Sequence, residues 1–215
     1  FFKNDPAIKK LHAFVADHLE DNFGHGLQHA VKVTVDAGAL LYIEGQNTGY
    51  DKSMLARRMQ VVQCAGLLHD IKRKKKEHAK LGAARAREIL KEYPLTPDDI
   101  EDVYRAIRNH EAFKKEILIT TSQGALVSDC LYDADKFRWG PDNFTDTLWD
   151  MISYYNPPLS KFMARYPQGM EGLEKIKTTF RTQTGKKYGP RFIDLGLAIG
   201  KKLYEVIQTE FSDCL

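Results

Sequence analysis

Long apolar runs are missing from this sequence, and no stretch approaches the roughly 20 residues of a membrane-spanning helix. A membrane partner is therefore not expected. Cysteine is scarce: Cys64, Cys130 and Cys214 are the three among 215 residues, far apart and without C-x-x-C spacing. That argues against a zinc ribbon and against a disulfide framework, and points to a reducing cytoplasm with small buried thiols. Charge of one sign is not in excess either, since 32 Lys and Arg against 29 Asp and Glu leave a formal net charge of +3. So small a surplus gives no ground for a nucleic-acid partner. Repeats and low-complexity tracts are absent. The chain begins Phe1-Phe2-Lys3 rather than with Met. That suggests a trimmed chain or an unseen leader, and no signal peptide can be read from it.

What is present is helix-forming. Apolar residues make up 43% of the chain, enough for one packed domain, or for a core with an added helical piece. Asp5-Pro6 is a cap with proline at the first helical position, followed by the stripe Ile8, Leu11, Phe14, Val15 and Leu19. A second helix is expected from His25 to about Glu44 and a third from Lys52, capped by Asp51, to Asp70. The third ends in Cys64-Ala65-Gly66-Leu67-Leu68, apolar all round and so buried. A fourth is expected over 78–93 and a fifth from the strong start Thr96-Pro97-Asp98-Asp99 to His110. A sixth should cover Ser122 to Phe137, with a strand candidate before it at Ile117 to Thr120. Pro157-Pro158, Tyr166-Pro167 and Tyr188-Gly189-Pro190 should break the tail into short pieces, with a last helix from Arg191 to Phe211. The expected architecture is all-α, with about five core helices and a helical C-terminal extension. The division is placed as a core over 1–140 and a cap over 141–215.

The residues that carry chemistry begin with Leu67-Leu68-His69-Asp70-Ile71, an ionisable pair at the end of the most apolar segment. Burying a carboxylate beside an imidazole costs several kcal/mol without compensation, and a divalent cation compensates well. An isolated His-Asp pair is more often an ion pair at a helix end. This one is accompanied by His29 on the inner stripe of helix two, His78, His110 and Asp135. Several such residues converging in a bundle is how bundle metal sites are built. His25, four residues before His29, fits either an orienting partner or helix packing. Trp139 is expected in the core.

The ordered set His29 … His69-Asp70 … Asp135, in the settings Gly24-His25-Gly26-Leu27-Gln28-His29, Leu68-His69-Asp70-Ile71 and Asp133-Ala134-Asp135-Lys136-Phe137, resembles the HD-domain metal-dependent phosphohydrolases. So do His78 with Gly82-Ala83, and Ala106-Ile107-Arg108-Asn109-His110. The likeness runs from about Phe23 to Phe137. It implies a helical bundle in which His29, His69, Asp70 and Asp135 hold one divalent ion: Mn, Mg, Fe, Ni or Zn. Asp135 is chosen over Asp133 and Asp129 because the resemblance sets the ligand just before Lys-Phe. It implies that His78 and His110 either hold a second ion, with Asp70 as bridge, or meet substrate. Asp70 would also orient the attacking water. The expected substrate is a small phosphorylated molecule, its phosphate met by Lys72, Arg73, Lys136 and Arg138, while Lys74 to Lys76 form a solvated basic loop. Departures are Ile71-Lys72-Arg73 where many members are acidic, and Gly26 where Asp is frequent. Two other readings stand beside hydrolysis: a metal-containing binding or regulatory module, and a di-iron oxygenase. A homodimer is compatible with the sequence and not fixed by it.

Overall fold

The computed structural model describes residues 4–19 and 25–214. Gly24, part of the first motif, lies outside them. Among the described residues the chain is helical and has no strand. Its helices are α1 (Pro6–His18), α2 (Leu27–Asn47), α3 (Lys52–Leu68), α4 (His78–Leu90), α5 (Pro97–Arg108) and α6 (Ser122–Phe137). A π-helical turn, Asn143–Thr147, then leads into α7 (Leu148–Tyr155), α8 (Leu159–Ile176) and α9 (Gln183–Glu210). No helix among the described residues is long and apolar enough to cross a membrane.

The starts are written locally. Asp5 accepts from the backbone of Ala7 and Ile8, and Asp51 from Met54. Thr96 and Asp99 cap one another reciprocally at α5, and Thr121 caps α6. Each such cap stabilises its helix by about 1 kcal/mol. The apolar faces of α1 to α6 then close on one core that includes Leu11, Val33, Leu41, Leu67, Leu68, Leu90, Ile107 and Leu131. Full burial of a Leu or Ile side chain stabilises the fold by roughly 1.5–3 kcal/mol. Cys64 and Cys130 are buried free thiols in that core. Trp139, expected inside, is instead 36% exposed.

Segment 117–120 is not a strand. With no neighbour to pair with, its backbone is met by the Asn109 side chain, which donates to the Ile117 carbonyl at 3.0 Å and accepts from the Ile117 amide at 2.8 Å.

The C-terminal helices are longer than the prolines suggest. Pro167 lies on the exposed side of α8, so its kink-prone turn meets solvent. Pro190 lies within α9, and the carbonyl it leaves unpaired belongs to exposed Lys186. The start of α9 is secured by groups distant in sequence: Asp133 accepts from the amides of Arg181 and Thr182, each at 2.8 Å, and Glu44 from that of Thr184 at 2.7 Å. Further along α9, Gly196 permits backbone-to-backbone contact, since a Cβ would fall 2.6 Å from the Gly140 carbonyl carbon.

Helices α2 and α3 are in close backbone contact at Gly66. A Cβ on Gly66 would lie 2.7 Å from both Cα and Oγ1 of Thr34. This contact sets the end of α3, and hence His69, against α2. Gly66→Ala gains about 1 kcal/mol of helix propensity and loses more to overpacking. We expect a net loss of about 2 kcal/mol and a melting midpoint lower by ~4–8 °C. A midpoint at or above the parent's would show that the two helices are not in tight contact there.

Candidate metal centre

His69 and Asp70 stand in the turn that ends α3. The last carbonyls of a helix lack partners, and His69 answers one of them: its Nδ1 donates to the Gly66 carbonyl at 2.8 Å. His110 does the same at the end of α5, donating from Nδ1 to the Ile107 carbonyl at 2.6 Å. A carbonyl only accepts, so in the neutral ring the proton sits on Nδ1 and Nε2 keeps its lone pair. Both bare nitrogens point into the space between α2, α3, α5 and α6.

Three more side chains close that space. His29 arrives on the first turn of α2 and Asp135 on the last turn of α6. His29 Nε2 lies 3.3 Å from His69 Nε2 and 3.3 Å from Asp135 Oδ1. His69 Nε2 is 3.9 Å from Asp135 Oδ1 and 3.5 Å from Asp70 Oδ2, which is 4.0 Å from His29 Nε2. Metal–ligand bonds of about 2.0–2.3 Å put neighbouring ligand atoms roughly 3–4 Å apart, so the four atoms suit one divalent ion. On the other side of the same carboxylate, Asp70 Oδ1 is 3.6 Å from His110 Nε2 and 3.7 Å from His78 Nε2. Asp70 Oδ1 and His110 Nε2 are buried and have no hydrogen-bond partner. Buried polar atoms without partners are rare in proteins, and lone pairs facing one another call for a cation.

The electrostatics agree. Burial draws His69 down to about 4, against the pull of Asp70 and Asp135, so the ring is neutral and ready to ligate at neutral pH. Burial pushes Asp70 and Asp135 upward and is outweighed. His69, the other histidines and Arg73 hold Asp70 well below the usual carboxylate range, and Lys136 and His29 do so for Asp135. His78 is lowered, first by burial and also by Arg73, with Asp70 opposing.

The remaining expected site residues fall in different places. Lys136 is 3% exposed and donates to Asp135 Oδ2 at 2.5 Å and to the His110 carbonyl at 2.9 Å. Arg138 pairs with Asp36 and, at 2.7 Å, with Asp142. Lys72 and Arg73 line a recess of about 80 Å³ that reaches Asp70. A second recess of about 180 Å³ reaches His29, between Lys32, Arg138, Asp142 and Asp146. Asp133 points away, to the start of α9, and Asp129 faces Arg181 at 3.9 Å. His25 packs edge-on against His29, with ring centroids 4.8 Å apart, and its polar neighbours are Asp70, Nδ1 to Oδ2 at 3.2 Å, and Arg73. Glu111, which faces His78 Nδ1 at 3.9 Å, was not singled out from the sequence. Its position just after His110 was the one available signal.

Comparison with known proteins adds the family. A profile of the HD domain matches residues 26–139. The chain belongs to the HD-domain family. No curated protein matches it. Among solved structures it is similar to Bacillus subtilis YpgQ in complex with ADP, at 16% identity and TM-score 0.63, over 94% of this chain and 98% of that one. It is also similar to a predicted HD superfamily hydrolase from an uncultured Thermotogales bacterium, at 19% identity and TM-score 0.57, over 97% and 95% of the two chains. A Lactobacillus plantarum protein matches at 15% identity and TM-score 0.63, over 98% and 99%. These likenesses place the whole described chain, not only the HD segment, within a recurring helical fold.

Proposed function

We propose that this HD domain is a metal-dependent phosphohydrolase of a small phosphorylated molecule: a nucleotide, a phosphate ester or a pyrophosphate. The observation that carries the reading is the convergence of His29 Nε2, His69 Nε2, Asp70 Oδ2 and Asp135 Oδ1, all buried, with the two histidine nitrogens 3.3 Å apart and each within 4.0 Å of both carboxylate oxygens. A divalent ion held there supplies a water of lowered pKa and positive charge beside phosphoryl oxygens.

The chain's own residues do the rest. His69 and His110 keep their lone pairs inward because helix-end carbonyls hold their Nδ1 protons. Asp70 presents one oxygen to each side of the site and is the group best placed to orient a water against phosphorus. Lys72 and Arg73, in the recess beside Asp70, are the proposed phosphate contacts. Lys136 and Arg138 we assign to holding Asp135 and Asp142 in place, given their burial and ion pairs. The wider recess at His29 would take the rest of the substrate, with Asp142 and Asp146 offering acceptors to hydroxyl or amino groups. The fold shared with YpgQ, which was solved with ADP, supports trying nucleotides first.

The test is phosphate or pyrophosphate release from nucleoside mono-, di- and triphosphates and simple phosphate esters, with manganese and after chelation. Turnover of at least one compound, abolished by chelation and restored by metal, is expected. Metal binding without turnover on any of them would leave a binding module.

A further inference from the structure

Arg73 sits where a second cation would sit. Its Nη1 is 3.0 Å from His78 Nε2 and 3.6 Å from Asp70 Oδ1, and its Nη2 is 3.3 Å from His25 Nε2. The placement is built into the backbone, since the Arg73 amide donates to the Asp70 carbonyl at 2.8 Å and the tight turn returns the side chain to the carboxylate.

A guanidinium only donates. Both imidazole nitrogens it touches must therefore be acceptors, and the ring protons of His25 and His78 lie on Nδ1. Both Nδ1 atoms then face a carboxylate, although neither makes a hydrogen bond to it. His25 Nδ1 faces Asp70 Oδ2 at 3.2 Å, and His78 Nδ1 faces Glu111 at 3.9 Å. The atoms that could hold a second ion are Asp70 Oδ1, His78 Nε2 and His110 Nε2. One of the three lone pairs is already taken by Arg73, and a divalent ion beside the guanidinium would be repelled at close range.

We propose that the Arg73 guanidinium takes the place of a second metal ion, so that the chain holds one ion, at His29, His69, Asp70 and Asp135, and uses Arg73 to balance the other oxygen of Asp70. This rests on the metal-centre reading above. It argues against a di-iron oxygenase, which would need His78 and His110 both free to ligate.

The experiment counts metal. The full chain, Arg73→Met, Arg73→Ala and Arg73→Met with His110→Ala are loaded with manganese, desalted and measured by elemental analysis. Circular dichroism checks folding, and electron paramagnetic resonance checks for coupled manganese. Arg73 is a third exposed in a turn, so its variants should fold. The expected counts are one ion for the parent, two with a spin-coupled signal for both single variants, and one for the double variant. Two ions in the parent would overturn the Arg73 inference and leave the hydrolase reading intact. So would single variants that stay at one. No ion in the parent would overturn the metal centre itself, and with it both proposals.

Discussion

Asp70→Ala is expected to abolish metal binding and to lower the proposed turnover by roughly a thousandfold or more, about 4 kcal/mol in activation free energy, while helix content stays near that of the parent. Asp70 follows the last turn of α3 and is 2% exposed. Its two oxygens face different groups, with His69 and His25 near Oδ2 and His78, His110 and Arg73 near Oδ1. No other carboxylate in the site spans both sets. Alanine removes the central negative charge that the histidines and Arg73 surround, so neither a metal nor an oriented water has its anchor. The fold does not depend on it, because the α3 contacts that matter most are the apolar ones before it. Asp70→Asn keeps the volume and removes the charge, and should lose metal almost as completely. Elemental analysis and a turnover assay on the same preparation decide the matter. A fully metal-loaded Asp70→Ala protein would remove Asp70 from the ligand set.

Lys136→Met is expected to lower the melting midpoint by about 10 °C, corresponding to a loss of roughly 3–5 kcal/mol, with added manganese recovering part of it. Methionine nearly matches lysine in length but carries no charge. Asp135 would lose its 2.5 Å partner and the His110 carbonyl its 2.9 Å donor, both in a buried setting. A buried charge stripped of its partner is among the costlier single changes known. A divalent ion at Asp135 supplies positive charge in its stead, so the metal-induced rise in midpoint should be larger than in the parent. The pH dependence has a definite sign. Asp135 is held below its ordinary value of 3.8, so its stabilising contribution is present above that value and lost as pH falls through the lower folded one. The gap between parent and variant should be widest near neutrality and narrow below about pH 4. A variant melting within a degree of the parent at pH 7 would show that Lys136 does not hold Asp135.

Those two residues also mark how far the sequence could be read. The ends of α6 and the cap and proline of α5 are local signals, and the structure places both helices there. His29, His69 and Asp70 stand out by local pattern, an inner stripe and the end of an apolar run, whereas Asp135 is preferred over Asp133 and Asp129 only through the family resemblance, which also implies the four as one ligand set. What the sequence hid is non-local. Pro190 looked like a break, but Asp133 and Glu44, far back in the chain, supply the hydrogen bonds that let α9 begin before it. Lys136 reads as a phosphate contact from its neighbours, yet its partner carbonyl belongs to His110, just past the end of α5. Arg73 reads from the sequence as a phosphate contact beside the ligand motif, and only the turn at Asp70 to Arg73 shows that it folds back over the carboxylate. Charged residues beside a ligand motif do not reveal from sequence whether they face solvent, substrate or the ligand itself.

Every role proposed for these residues depends on where a metal ion binds. Crystals of the full chain grown with manganese, measured at a wavelength where manganese scatters anomalously, test this most directly. The account predicts one strong peak within about 2.0–2.4 Å of His29 Nε2, His69 Nε2, Asp70 Oδ2 and Asp135 Oδ1. A manganese peak elsewhere, or none in protein that is otherwise well ordered, would contradict it.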